Sequence, residues 1–219
     1  MASALSGLQG ELLDAFFARE QRLFLTGGAA LTGFYQSPRP TDDLDLFGAP
    51  ALEMADAVRS LEAAAAACGA RLESVKTFPD YRRFLAVRGA ETCRVDLVID
   101  RAPALESEKQ RFGSVRVDSM REIAANKVCA ILSRSEVKDL LDLKFLLGAG
   151  LDLGQALRDA RLKDRGAEPS TLAWVLEQIS ISPEARLPAG ADPIELDRFR
   201  KQLVEQLQRL AFEATKGGS

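Results

Sequence analysis

Residues 26–47 read TGGAALTGFYQSPRPTDDLDLF, and the fold turns on how this stretch divides. Gly27-Gly28 follows the apolar run Leu23-Phe24-Leu25, so a short strand over Arg22–Leu25 is expected to pass through a glycine turn into a helix from about Ala29 to Tyr35. Pro38 and Pro40 mark a loop, and Asp43–Phe47 alternates acid and leucine as a strand does. Residues two apart on a strand share a face at a spacing of about 6.6 Å. Asp43 and Asp45 therefore project together, while Asp42 faces the other way and is read as solvated or structural. Two carboxylates so placed repel each other unless a cation lies between them. Glycines before a helix let its free N–H groups approach an anion closely. The first element can hold phosphate and the second a divalent cation.

Each of these signals alone has a plainer reading. An Asp-x-Asp pair is often a solvated strand end, and a glycine pair is often a tight turn. The stretch matches neither G-x-x-x-x-G-K-[ST] nor G-x-G-x-x-G, so the P-loop and dinucleotide fingerprints are absent.

The rest of the chain narrows the chemistry. Its 219 residues contain no histidine, which removes Ser-His-Asp and Cys-His nucleophiles, histidine zinc sites and histidine general bases together. Acid–base work falls to carboxylates, lysines, tyrosines or metal-bound water. A net charge of −3 argues against a protein that coats nucleic acid non-specifically. Cys68, Cys93 and Cys129 are odd in number and lack C-x-x-C spacing, which suits a reducing cytoplasm. No basic region precedes the apolar residues of the opening MASALSGLQGELL, so no signal peptide is expected, nor any membrane span. The final Gly217-Gly218-Ser219 is set aside from fold reasoning.

Helical spacing is expected over residues 8–20, and a strong helix from Pro50 to Cys68 with Gly69 past its end. Strands are expected over Arg71–Lys76, Arg82–Arg88 and Thr92–Ile99. After about residue 118 the pattern becomes helix after helix: Ser119 to Arg134 opened by a Ser119…Glu122 capping box, Ser135 to Leu147 capped by Ser135, then 152–163, 170–180 and 193–214. The expected class is α+β, a small mixed β-sheet core flanked by helices over residues 1–117 with a C-terminal helical domain over 118–219.

Asp96 lies in the otherwise apolar strand Val95-Asp96-Leu97, where an unpaired carboxylate is costly, so a partner is required. Arg94 on the same face is one candidate; a metal shared with Asp43 and Asp45 is the other, with Asp96 then also able to accept a proton from an attacking hydroxyl. Lys127 and Arg134 are seven apart on one helix face, and Asp139 and Asp142 share a side of the next helix. They form either a salt-bridge set fixing the two helices or part of a functional cleft. Arg82, Arg83, Arg88, Arg94 and Arg101 either line an RNA path or are solvated strand faces.

In this order the residues resemble the AbiEii/AbiGii-type nucleotidyltransferase toxins, within the DNA polymerase β-like nucleotidyltransferase superfamily. Gly27-Gly28-x-Ala30-Leu31, Arg39-x-Thr41-x-Asp43-Leu-Asp45-Leu, Val95-Asp96-Leu97 and Lys127-Val-x-Ala130-x-x-x-Arg134-x-x-x-Lys138-Asp139-Leu-x-Asp142-Leu carry the resemblance over residues 22–147. It implies a Mg²⁺- or Mn²⁺-dependent transfer of a nucleoside monophosphate from NTP to an acceptor, RNA such as tRNA or a protein, with pyrophosphate released. It also implies Asp43, Asp45 and Asp96 as metal ligands and, with Lys127, as catalytic residues. Gly27, Gly28, Thr41, Lys127 and Asp139 become nucleotide-binding positions, and a cognate antitoxin a partner. One departure stands out: Ala29 occupies a place where many relatives carry a hydroxyl, so backbone N–H groups and Thr26 or Thr32 would have to substitute. A catalytically silent nucleotide- or partner-binding module and a small-molecule, antibiotic-type nucleotidyltransferase are the alternatives.

Overall fold

The computed structural model describes residues 5–216; residues 1–4 of the opening stretch and the final Gly217-Gly218-Ser219 lie outside them. The chain divides into two compact units, Met1–Arg101 with Glu106–Ser119, and Ala102–Leu105 with Met120–Ser219.

Helix α1, Gly7–Phe17, opens the first unit with Ser6 as N-cap in a reciprocal capping box with Gln9. Its Leu8, Leu12, Leu13, Phe16 and Phe17 recur at helical spacing and are all buried. Strand β1, Leu23–Thr26, leads into α2, Gly27–Phe34, and then β2, Asp43–Gly48. Helix α3, Met54–Ala67, begins four residues after Pro50, later than expected. The Leu52 N–H donates to the Ala49 carbonyl at 2.9 Å, so Pro50 sits in a turn and the extended Glu53 becomes the N-cap. Strands β3 (Arg71–Phe78), β4 (Tyr81–Arg88) and β5 (Glu91–Ile99) follow as an antiparallel meander.

A pair of short strands, β6 (Gln110–Phe112) and β7 (Val115–Val117), was not expected from the sequence. Three residues each, around Gly113 in the left-handed region, are too few to show alternation. They complete a seven-stranded sheet in the order β3-β4-β5-β2-β1-β7-β6. Its pairing is mixed: β1 is antiparallel to β2 and parallel to β7, while β2 is parallel to β5. Leu44 and Leu46 of β2 with Cys93, Val95 and Leu97 of β5 face the core, where α1 and α3 contribute Leu12, Phe16, Ala57 and Leu61. The acids of β2 alternate to the opposite, partly exposed face.

The second unit is helical: α4 (Met120–Arg134), α5 (Val137–Gly148), α6 (Leu153–Lys163), α7 (Pro169–Gln178) and α8 (Pro193–Lys216). Ser135 does not cap α5. Its backbone is left-handed at φ 52°, its hydroxyl donates to the Ile131 carbonyl at 3.2 Å, and Glu136 is the N-cap. Glu122, expected in a capping box, is buried, pairs with Lys163 at 2.5 Å and accepts the Leu105 N–H at 3.0 Å. No helix among the described residues is long and apolar enough to cross a membrane.

α4 and α5 are joined by an ionic cluster. The Lys127 ammonium pairs with Asp139 at 2.9 Å and Asp142 at 2.6 Å, and Arg134 forks onto Asp139 at 2.7 and 2.8 Å. Asp139 is fully buried and Lys127 is 6% exposed. Burial pushes the Asp139 carboxyl up, but the Arg134 hydrogen bonds and the Lys127 charge outweigh it and hold the group below the ordinary carboxylate range. A depressed carboxylate contributes stability fully above its unfolded value of about 4 and loses it as pH falls through the folded value. Asp139→Asn, which leaves Lys127 and Arg134 short of a partner, should cost about 3 kcal/mol at pH 7. The gap from wild type should shrink in urea melts as pH is lowered below about 4; a gap independent of pH would show that the carboxylate charge is not its source.

Candidate functional site

The glycine turn is shaped by what lies against it. β1 pairs with β2 so that Thr26 stands opposite Asp45. Gly27 follows at φ +67°, a backbone region that L side chains rarely adopt, and a Cβ there would run into Oδ2 of Asp45. The Asp45 carboxylate therefore rests on the Cα of Gly27. At Gly28 a Cβ would come within 2.5 Å of Arg39 Nη2 and 3.4 Å of Thr41 Oγ1. The second glycine is thus the floor on which the Arg39 guanidinium sits, at the first turn of α2. That turn receives no side-chain cap from Thr26, whose buried hydroxyl makes no hydrogen bond among the described residues. An uncapped helix N-terminus and a guanidinium side by side form an anion seat, since both carry positive charge toward the same space.

Two hydroxyls stood as substitutes for the one missing at Ala29. Thr32 is spent elsewhere: its hydroxyl donates to the Arg39 carbonyl at 2.5 Å and so fastens the loop that carries Arg39. Thr26 stays buried beneath the turn. Thr41 reaches the same place, with its Oγ1 accepting the Asp43 N–H at 3.3 Å.

On the other side of β2, the parallel register with β5 sets Asp43 beside Arg94 and Asp45 beside Asp96. The three acids thus lie on neighbouring positions of two adjacent strands. Asp96, at 8% exposure, has the required partner, but it is Arg83 and not Arg94. Arg83 faces it across β4, donating Nε to Oδ1 at 2.8 Å and Nη2 to Oδ2 at 2.6 Å, while the Tyr81 hydroxyl donates to Oδ2 at 3.1 Å. Arg94 instead donates Nε to Asp43 at 2.6 Å. Cross-strand neighbours at about 4.8 Å are nearer than residues two apart on one strand, so register overrules sequence spacing. The electrostatics report the convergence. Burial first, then the Asp96 charge and more weakly that of Asp45, push the Tyr81 hydroxyl up to about 12. Arg83 is raised by its hydrogen bond to Asp96, with Asp43 adding to it.

Hard carboxylate oxygens on one face make Asp43 and Asp45 suitable ligands for Mg²⁺ or Mn²⁺. The Arg94–Asp43 pair is about half-exposed on the arginine side, a kind worth about 0–1 kcal/mol, so an incoming cation can replace it. Both oxygens of Asp96 accept from Arg83 in a charge-assisted bidentate fork, so a cation there would share the carboxylate with a guanidinium. Among the described residues no group of three or more acids or thiols is placed to hold a metal ion. Lys127 and Asp139, expected at the nucleotide and in catalysis, are bound to each other in the buried α4–α5 cluster, where every Asp139 oxygen is engaged. That is the helix-fixing alternative their spacing allowed.

Arg39, Tyr81 and Arg83 were not singled out as site residues. The alternation Tyr81-x-Arg83 on the strand before Val95-Asp96-Leu97 carries a signal for the last two, since it puts both on one face. Of the five strand arginines, four carry acids: Arg88 pairs with Glu11 at 2.6 Å and Glu91 at 2.8 Å, Arg101 with Asp80 at 2.8 Å, and Arg83 and Arg94 with the acids above, while Arg82 lies on β4 beside Ser74 and Phe84.

Comparison with known proteins agrees with this core. The crystal structure of JHP933 from Helicobacter pylori is 17% identical, with 98% of this chain and 100% of that one covered and a TM-score of 0.54. MenT4, the nucleotidyltransferase toxin Rv2826c from Mycobacterium tuberculosis H37Rv, is 16% identical, with 93% of this chain and 85% of that one covered and a TM-score of 0.60. At such identities the likeness is one of fold. No curated protein sequence matches the chain. The model of the family described as nucleotidyl transferase AbiEii toxin, type IV TA system, matches residues 11–218, nearly the whole length, and the chain belongs to that family of nucleotidyltransferases.

Proposed function

We propose that the chain moves a nucleoside monophosphate from an NTP to an acceptor, RNA such as tRNA or a protein, in the cytoplasm, and that a cognate antitoxin restrains it. One observation carries the reading: the Asp45 carboxylate lies on Gly27 at the uncapped start of α2, with Arg39 on Gly28 beside it. An acid pair suited to a cation thereby adjoins a seat suited to a triphosphate. The free thiols of Cys68, Cys93 and Cys129 suit the compartment.

In this reading the α2 N–H groups and the Arg39 guanidinium bind the β- and γ-phosphate oxygens, and Thr41 steadies the backbone of Asp43. Asp43 and Asp45 hold Mg²⁺ or Mn²⁺, which when bound supplies charge neutralisation at phosphate oxygens. The acceptor oxygen forms a bond to the α-phosphorus as the bond to pyrophosphate breaks, and the same positive elements stabilise the departing pyrophosphate. The acceptor's hydroxyl proton passes to solvent water, since both Asp96 oxygens already accept from Arg83.

Asp45→Ala should abolish transfer of label from α-labelled NTP to total RNA or protein while leaving the melting temperature near that of wild type; retained labelling would remove this mechanism. NTP binding without any labelling by the wild type would assign the silent-module alternative instead. The two glycines should separate. Gly27→Ala meets both a forbidden φ and the Asp45 carboxylate, so it should lower stability by about 1 kcal/mol or more as well as activity. Gly28→Ala collides with the flexible end of Arg39 and merely touches Thr41 Oγ1, so it should raise KM for NTP several-fold with little change in melting temperature. Equal thermal losses in both variants would contradict the assigned roles.

A further inference from the structure

The sheet face that carries the acids continues past them, and strand register lays it out in rows. One row crosses five strands as Thr26, Asp45, Asp96, Arg83 and Lys76. The next row on the same face runs Phe47, Val98, Tyr81 and Phe78. Lys76 and Phe78 reach this face because β3 slips register between Ser74 and Lys76. Ser74 stands opposite the buried Phe84, on the core side; without the extra residue Val75, plain alternation would turn Lys76 and Phe78 that way too. An edge strand often carries a bulge and a lysine simply to refuse a further strand. A large exposed ring works against that purpose, and Phe78 keeps 57% of its surface in water. Its ring lies 6.3 Å from that of Tyr81 and within 24° of parallel, so the two form a near-parallel stack with Phe78 on the outer strand. Lys76, in the neighbouring row, makes no ion pair or hydrogen bond among the described residues.

We propose that this outer part of the face is the acceptor platform and that its occupant is single-stranded RNA, with an unpaired base extending the Phe78–Tyr81 stack and a flanking phosphate meeting Lys76. The proposal rests on the transfer reading above. The strand order β3-β4-β5-β2-β1 puts the glycine seat on one side of Asp45, and Phe78 and Lys76 on the other. Attacking and leaving oxygens lie roughly in line in phosphoryl transfer. With pyrophosphate leaving toward the seat, the acceptor hydroxyl enters from the side of β5, β4 and β3. Its oxygen bonds the α-phosphorus as the pyrophosphate bond breaks, and its proton passes to water. Lys76 stands three strands from Asp45, about 14 Å, which a short single strand can span. RNA is recognised chiefly through unstacked bases laid on aromatic side chains, with cations following the backbone. An exposed ring beside an unspent ammonium matches that chemistry; a protein acceptor offers no run of phosphates for the lysine.

The test is binding of a fluorescein-labelled single-stranded oligoribonucleotide of about ten nucleotides, followed by anisotropy over a salt series. Transfer from α-labelled NTP to total RNA and to RNA-free protein extract is measured alongside. Wild type, Phe78→Ala, Phe78→Trp, Lys76→Ala and Asp45→Ala are compared. Phe78 and Lys76 are both exposed, so their variants should melt with wild type. Phe78→Ala should weaken the oligonucleotide about tenfold at every salt concentration and raise KM for RNA by as much, with KM for NTP unchanged. Phe78→Trp, which restores a stacking face, should bind as wild type does. Lys76→Ala should reduce the slope of log K against log salt by about 0.7, the share of one phosphate. Asp45→Ala should bind the oligonucleotide and transfer nothing. A phenylalanine with only a structural role would move melting and NTP affinity together with RNA. Binding and labelling of RNA indifferent to Phe78→Ala, or labelling confined to protein, overturns the platform and leaves the transfer reading standing. No labelling of either acceptor by wild type overturns the transfer reading, and the platform with it.

Discussion

Strand β2 is bonded antiparallel to β1 on one edge and parallel to β5 on the other, and that double pairing is the constraint from which the site follows. One register sets Asp45 opposite Thr26, at the mouth of the glycine turn; the other sets it beside Asp96. A slip of one residue would exchange the faces, burying the acids and exposing Leu44 and Leu46. Those leucines are at 0% and 1% exposure, and each is worth about 1.5–3 kcal/mol to the folded state. Apolar burial on one face thus fixes the position of charge on the other. The two aspartates can be held side by side because the strand that carries them is not free to move away.

Hydrophobic periodicity made most elements legible. Leu8 through Phe17, Leu23–Leu25, the Asp–Leu alternation and the five later helices were readable because each element's pattern lies within its own residues. What escaped has a different cause in each case. The α3 start was displaced by a local turn at Pro50, β6 and β7 are too short to alternate, and Ser135 took a left-handed backbone in place of a cap. At the site, Gly27, Gly28, Asp43 and Asp45 could be found because they are neighbours along one stretch. The partner of Asp96 could not, since strand register is set by the whole sheet; spacing suggested Arg94, and the sheet supplied Arg83. The Lys127–Asp139 contact lay between these limits: helical spacing brought the charges to one seam without showing whether they faced each other or a ligand.

Charge pairing takes up four of the strand arginines in the first unit. Arg88, Arg94, Arg101 and Arg83 each carry an acid, yet the pairs differ in kind. Arg88 and Arg101 tie surface acids and contribute little to stability, as exposed ion pairs do. Arg83 and Asp96 are partly buried, doubly hydrogen-bonded and braced by Tyr81, so neither can be removed without leaving a buried charge behind.

Arg94 occupies the middle ground, and its place on Asp43 has a use that the tighter pair lacks. Two carboxylates on one strand face repel each other, and most when no cation lies between them. A guanidinium resting on Asp43 relieves part of that repulsion in the free protein, at the very position a divalent ion would neutralise. Because Arg94 keeps 45% of its side chain in water, it can swing off Asp43 and be rehydrated at small cost. Parting Arg94 from Asp43 therefore costs less than parting Arg83 from Asp96, where two partly buried hydrogen bonds would break.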